Sequence, residues 1–280
     1  MNYQLTDEQT MLLDSLRAFL ETEVYPHETE ADRAGQVAEE LGHQIKAKAI
    51  EMGFYAANLP ESVGGGGLDY TTMGLFEREL GKASWGLAGH IARPTELLLA
   101  CEGDQVEKYL NPCVTGDKHE LFALTEPGAG SDIMSMATKA TRDGDDYIIN
   151  GSKHFISTPC LPDFAIVFAV TGVDETPRGP RKRITAFFVD RGEKGFDLTL
   201  GPLCTSQRAY RTYQLGFNNC RISKEQILGE EGNGLDLANK WLRMGRVWVG
   251  AGCCGKMERL LGLATEWAAA RKQFGKPIGR

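Results

Sequence analysis

Apolar residues recur along the first 118 positions with helical spacing. Leu12, Leu16, Phe19, Leu20 and Val24 fall on one face. Thr6 and Gln9 fit a capping box ahead of them, in which the threonine accepts from the backbone and the glutamine reaches back. A second helix is predicted over Val37, Leu41, Ile45 and Ala49, with Gly53 placed to stop it. The run from Pro60 to Gly67, which ends in four consecutive glycines, breaks the pattern. Helices are predicted again near Thr71–Leu80 and Gln105–Cys113.

Between about 119 and 232 the chain reads as strands. Ile148–Lys153 contains Asn150-Gly151, a pair that signals a tight hairpin turn. Phe164–Val170 and Ile184–Val189 are apolar runs of strand length. The segment Asp174–Arg183 between them reads as a loop carrying Arg178, Arg181, Lys182 and Arg183. It is either a solvated loop or a contact to a ligand phosphate or a partner chain. Helical spacing then returns through Leu235, Ala238, Trp241, Leu242, Val249, Leu260, Leu263 and Ala264. One long helix cannot close a core by itself, so it docks on the first region or more chain follows. The pattern predicts an α+β, multi-domain chain: a helical domain over 1–118, a central β-domain over 119–232, and the start of a second helical domain over 233–280.

Composition narrows the classes. The 280 residues carry a net charge of -7 and a pI near 5.4, which argues against a nucleic-acid binder without excluding a local basic pocket. The acidic start lacks the layout of a signal peptide, and no apolar run is long enough to span a bilayer. Seven cysteines without a Cys-x-x-Cys pair suggest reduced thiols and a cytoplasmic location. Cys253-Cys254, in a stretch of small residues, reads as tight helix packing rather than redox chemistry.

The densest chemistry lies in Leu121-Phe122-Ala123-Leu124-Thr125-Glu126-Pro127-Gly128-Ala129-Gly130-Ser131-Asp132. Its glycines let backbone approach a ligand and point several N–H groups one way, which suits a phosphate or a flavin edge. A plain turn between strands explains it too.

As a string, Thr125–Asp132 is similar to the signature segment of the flavin-dependent acyl-CoA dehydrogenase family. Three more segments resemble that family in the same order: Asn150–Ser157, Gly229–Gly234 and Arg271–Ile278. Together they span essentially the whole chain. The resemblance implies a helical N-terminal domain, a β-barrel-like middle domain and an incomplete C-terminal helical bundle. It implies FAD as cofactor, an acyl-CoA substrate, an electron-transferring flavoprotein as partner, and a homo-oligomer, dimer or tetramer. Phe122, Leu124 and Thr125 would lie against the flavin. Gly130 and Ser131 would sit at the FAD pyrophosphate, with Ser131 also near the thioester. Phe155 and Ser157 replace the usual tryptophan and threonine at the isoalloxazine and keep an aromatic plate and a hydroxyl. Arg271 and Phe274 would bind the FAD of a neighbouring subunit, and Arg246 matches an arginine near the CoA mouth.

The implied reaction removes the α-proton with a carboxylate while the β-hydride passes to the flavin. The commonest base position of the family lies beyond Arg280, and Gly245 occupies the alternative one. Three readings stay open: a base downstream, a fold running other flavin chemistry such as a desulfinase or monooxygenase, or a base from a partner chain. A CoA- or partner-binding protein without catalysis is the rival from another class. His90 and Arg93 fall where the acyl cavity is expected, and two readings stay open: one of them meets a carboxylate or other anionic group on the acyl chain, or Arg93 extends its head to solvent.

Overall fold

A computed structural model describes residues 4–91, 93–177 and 179–279. The chain opens with α1 (Asp7–Phe19), capped as predicted: Gln9 N–H donates to Thr6 Oγ1 and Thr6 N–H to Gln9 Oε1, each at 3.1 Å. A π-helical turn, Leu20–Val24, continues it. Then come α2 (Glu28–Ala34), α3 (Glu39–Glu51), α4 (Tyr70–Leu80) and the short α5 (Trp85–Ala88). The segment predicted as a helix near Gln105–Cys113 is a π-helical turn, Val106–Leu110, followed by α6 (Asn111–Thr115). Periodicity missed α2 and α5 because neither is long enough to show a stripe.

The middle of the chain is one curled eight-stranded sheet: β1 (Glu120–Ala123), β2 (Lys139–Asp143), β3 (Asp146–Thr158), β4 (Phe164–Thr176), β5 (Gly179–Asp190), β6 (Phe196–Leu200), β7 (Arg211–Ser223) and β8 (Ile227–Leu228). The strand order is β6-β7-β3-β2-β4-β5-β8, with β1 paired parallel to β4. β4 is apolar on both faces. Phe164, Ile166 and Phe168 pack toward the N-terminal helices, and Ala165, Val167 and Ala169 pack into a second core on the other face. Helices and a curled strand layer therefore share a core, which is why β4 reads as a continuous apolar run.

Two expectations are corrected. Asn150-Gly151 makes no hairpin turn. It lies inside β3 at a break in the pairing with β7, between Ile149 and Gly151. A Cβ on Gly151 would sit 2.5 Å from Thr138 Oγ1, and its φ is +147°, so glycine answers to close backbone approach at a bulge. The segment Asp174–Arg183 is no loop either. β4 and β5 run on as a hairpin to the Thr176–Gly179 pair, with Asp174 opposite Arg181. Alternating charge on an exposed ribbon hid the strands. Arg178 lies outside the described residues.

The long helix α7 (Gly234–Ala270) docks back on α4. The contact is made by glycines: a Cβ on Gly81 would overlap the backbone of Gly252, and one on Gly255 would overlap the Arg78 carbonyl oxygen. Cys253 and Cys254 are exposed, so the tight packing expected of them belongs to their glycine neighbours. Leu260, Leu261, Leu263 and Trp267, farther along α7, form an exposed apolar row. After α7 the chain ends in a small hairpin of β9 (Lys272–Gln273) and β10 (Lys276–Pro277). No helix among the described residues is long and apolar enough to cross a membrane.

The crossing gives a paired prediction. Gly255→Val should cost about 1–3 kcal/mol by overpacking and lower the thermal midpoint by several degrees. Gly262→Ala, on the same helix with nothing near its Cβ, should gain up to about 1 kcal/mol. Calorimetric melting of both variants checks it.

Candidate active site

The signature loop leaves β1 and is held by a buried ion pair. Lys153 on β3 and Glu126 meet at 2.9 Å, with side chains 0% and 4% exposed. Lys153 Nζ also donates to the Leu124 carbonyl, while the Glu126 carboxylate accepts the N–H groups of Ala137 (2.6 Å) and Thr138 (3.0 Å). Burial opposes the charge on Glu126, but hydrogen bonds from Thr138, Ala137 and Lys153 outweigh it and hold the pKa below the ordinary value. Burial, only partly offset by Glu126, lowers Lys153 to about 8. His154 N–H donates to the Thr125 carbonyl at 2.9 Å, which sets β3 beside the loop.

This clamp gathers seven of the sequence-predicted residues. Phe122, half-buried on β1, packs edge-on to Phe168. Leu124 is buried, Thr125 half-buried, and Gly130 and Ser131 exposed. Phe155 has φ +55° at the second irregularity of the β3–β7 pairing, between Lys153 and Ile156, and its ring is 54% exposed. A left-handed aromatic residue is strained, and such strain concentrates where a side chain must be presented. Ser157 follows, exposed opposite Thr212. The hydroxyls of Thr125, Ser131 and Ser157 and the N–H groups of Gly128, Gly130 and Ser131 make no hydrogen bond to any described residue.

A cavity of about 190 Å³ runs from Phe122 and Ser157 to the wall where α4 meets α7. Trp85, Tyr210 and Trp241 line it, with Glu77, Arg93, Glu120 and His119 as its acidic and basic groups. Arg93 is no free cation waiting for an acid. It pairs with Glu77 and stacks over the Trp248 ring, 5.1 Å from its centre, while its side chain is 21% exposed. Burial pushes the Glu77 carboxyl up, and Arg93 pulls it partly back. The contact is between Arg93 Nε and Glu77 Oε1, an atom buried from solvent. Glu120 accepts the Thr95 N–H at 2.7 Å.

His90 is corrected outright. It lines a separate cavity of about 650 Å³ beside α3 and packs against Gly42. Burial, with nearby His119 and Lys46, lowers its pKa to about 4, so it is neutral at pH 7 and offers no charge to an acid. Arg246 is exposed on α7 and donates to Leu242 O at 3.3 Å. Arg271 and Phe274 are exposed, Phe274 completely so. Arg271 lies 19 residues past Gly252 in the sequence, roughly 28 Å along the helix from that point of the cavity wall. Gly245 lies between Trp241 and Trp248 on α7, with open space at its Cβ position.

Sequence reading missed Glu77, Trp85, Glu120, Tyr210 and Trp241. Glu77 left a signal: it falls with Met73, Phe76 and Leu80 on the buried stripe of α4, where a charge needs a partner.

Three domain models of one family match the chain: "Acyl-CoA dehydrogenase, N-terminal domain" over 6–117, "middle domain" over 121–220, and "C-terminal domain" over 232–280. The chain belongs to the acyl-CoA dehydrogenase family. It is 33% identical to the caffeyl-CoA reductase-Etf complex subunit CarC of Acetobacterium woodii, covering 98% of this chain and 72% of that one. Butyryl-CoA dehydrogenase from Megasphaera elsdenii is similar in structure, with a TM-score of 0.84 and 34% identity over 100% of this chain and 73% of that one. An acyl-CoA dehydrogenase complexed with FAD from Bacillus anthracis aligns with a TM-score of 0.83 and 29% identity, over 99% of this chain and 48% of that one.

The clamp gives a second prediction. Lys153→Met leaves Glu126 buried without its cation, at an expected cost of about 3–5 kcal/mol, read as a lower denaturant midpoint. Between pH 8 and the ordinary lysine value the unfolded chain holds a proton that the folded chain has released, so this lysine's contribution rises with pH. The stability gap between the parent and Lys153→Met should widen over that window.

Proposed function

We propose that this protein dehydrogenates an acyl-CoA thioester across its α,β bond with FAD and passes the electrons to an electron-transferring flavoprotein. The observation that carries the reading is the cradle beside the cavity. Phe122 and Ser157 line the cavity; the loop after β1 carries unused N–H groups at Gly128, Gly130 and Ser131 and the free hydroxyl of Thr125, and β3, bonded to that loop through His154, carries the exposed Phe155 on a left-handed backbone. Those donors fit a pyrophosphate and a polar ring edge, and an aromatic plate fits an isoalloxazine face. FAD held there would supply the hydride acceptor.

In this reading Phe122, Leu124 and Thr125 back the flavin ring and Ser157 bonds its edge. Gly130 and Ser131 hold pyrophosphate. Arg246 marks the CoA mouth, and Arg93 shapes the far wall of the acyl cavity through Glu77 and Trp248. Arg271 and Phe274, exposed at the end of α7, reach the FAD of a neighbouring copy. A guanidinium fork suits two phosphate oxygens, and a fully exposed ring suits an interface. The electron acceptor is supported by the name of the caffeyl-CoA relative, a subunit of an Etf complex. The two carboxylates in the cavity are already engaged, Glu77 by Arg93 and Glu120 by Thr95, and Gly245 supplies none. The α-proton therefore leaves to a carboxylate other than these.

Anaerobic titration of the FAD-loaded protein with a panel of acyl-CoAs should bleach the visible flavin band. Binding without bleaching would reduce the role to that of a thioester-binding protein. Sulfite release or dependence on oxygen would assign the altered chemistries.

The strain at Phe155 makes a separate prediction. Phe155→Gly should hold or raise the stability of the flavin-free protein by about 1 kcal/mol, since glycine adopts positive φ freely. The same change should weaken FAD retention, measured by equilibrium dialysis. Unchanged retention would remove Phe155 from the flavin site.

A further inference from the structure

The acyl cavity is not bounded alike on all sides, and the inference drawn from this rests on the acyl-CoA reading above. At the crossing of α4 and α7 it is closed by backbone, where Gly81 and Gly252 line it and meet. Beside the ends of β1 and β3 it is closed by single residues. Gly89, His119 and Pro159 line both this cavity and the one of about 650 Å³ beside α3, so each shows one side to either space. All three are half-buried, as a wall between two cavities should be.

The place of this partition follows from the run of β1 and β3. His154 N–H donates to Thr125 O. Phe122, three residues before Thr125, and Ser157, three residues after His154, both line the cavity. Three residues farther on each side, the His119 imidazole faces the Cys160 thiol. The two segments are therefore antiparallel neighbours, and at about 3.3 Å per residue the partition stands roughly 10 Å from the level of Phe122 and Ser157. Asp163 pins its backbone: Asp163 Oδ2 accepts the His119 N–H at 2.9 Å, and Asp163 N–H donates to His119 O at 2.8 Å. A Cβ on Gly89 would sit 2.9 Å from Pro159 Cβ, so these two residues close on each other. Gly89 has no side chain and the Pro159 ring is tied to its backbone, which leaves the His119 imidazole as the part that a side-chain change can remove.

We propose that His119 sets the length of the acyl group: it closes the acyl cavity together with Gly89 and Pro159, so the site takes a short acyl group and excludes a long alkyl chain. The volume of about 190 Å³ lies a little above the roughly 150 Å³ of an apolar cavity that holds benzene, which is room for a group of about six carbons. A longer chain has to push the partition aside, and overpacking a closed site is costly. Cutting back the imidazole joins the two cavities and removes that cost.

The test is the affinity of the FAD-loaded protein for butanoyl-CoA, hexanoyl-CoA, octanoyl-CoA and dodecanoyl-CoA, measured by calorimetry. The parent is expected to bind dodecanoyl-CoA at least about tenfold more weakly than hexanoyl-CoA. His119→Ala should shrink that ratio severalfold and leave butanoyl-CoA near its parent affinity. The Asp163 bonds use only the His119 backbone, so they survive the change. His119→Asn, a smaller truncation, reads the same effect if the alanine variant does not fold. His43→Ala, which alters the larger cavity alone, should keep the parent profile. Binding of dodecanoyl-CoA by the parent as tightly as hexanoyl-CoA would overturn the inference and leave the acyl-CoA reading intact, whether or not a variant folds. So would a folded His119 variant that keeps the parent ratio. Failure of all four thioesters to bind would overturn both readings together.

Discussion

The site depends on a buried ion pair. Lys153 and Glu126 lose their water on folding, a large cost that is offset because each finds partners beyond the other: Leu124 O for the lysine, and the N–H groups of Ala137 and Thr138 for the glutamate. Those bonds join the end of β1, the signature loop, the approach to β2 and the middle of β3. A pair of two apolar residues would fill the same space without specifying direction. The charged pair fixes which atoms of the loop face β3, and from that follow the Thr125–His154 bond and the positions of Phe155 and Ser157.

The second constraint is the glycine contact between α4 and α7. Without side chains at Gly81, Gly252 and Gly255 the two backbones meet. That approach brings Trp241 and Trp248 against the Arg93–Glu77 pair and closes one wall of the cavity. The clamp and the glycine contact act on opposite ends of the same space. One presents free donors and a ring on a left-handed backbone, and the other presents aromatic faces and the Arg93–Glu77 pair. The division matches a reaction that needs a cofactor fixed rigidly at one end and a selective surface at the other.

Strain and exposure point the same way. Phe155 holds a left-handed backbone inside β3 with its ring exposed, and its ring adds nothing to the core. Phe274, φ +49°, sits with Gly275 in the two-residue turn of the β9–β10 hairpin, a turn that takes positive φ at both positions. The exposed row Leu260, Leu261, Leu263 and Trp267 belongs to the end of α7 that leads into that hairpin and calls for a covering surface.

Periodicity, capping and motif order determined the helical first region, the apolar strand runs, the long helix and the family, because each of these is a local pattern that a short window contains. The capping box at Thr6 and the double-faced run of β4 are examples. Only the tertiary structure decided what meets across the chain. Asn150-Gly151 looked like a turn and is a bulge, since Thr138 on a neighbouring segment leaves no room for a side chain. Arg93 looked like a ligand for an acid and is spent on Glu77, sixteen residues earlier in the sequence, a pairing that depends on how α4 sits against the loop after α5. His90 looked charged and is neutral because burial removes its water. Pairing, close approach and desolvation are properties of distant segments brought together, and no local pattern encodes them.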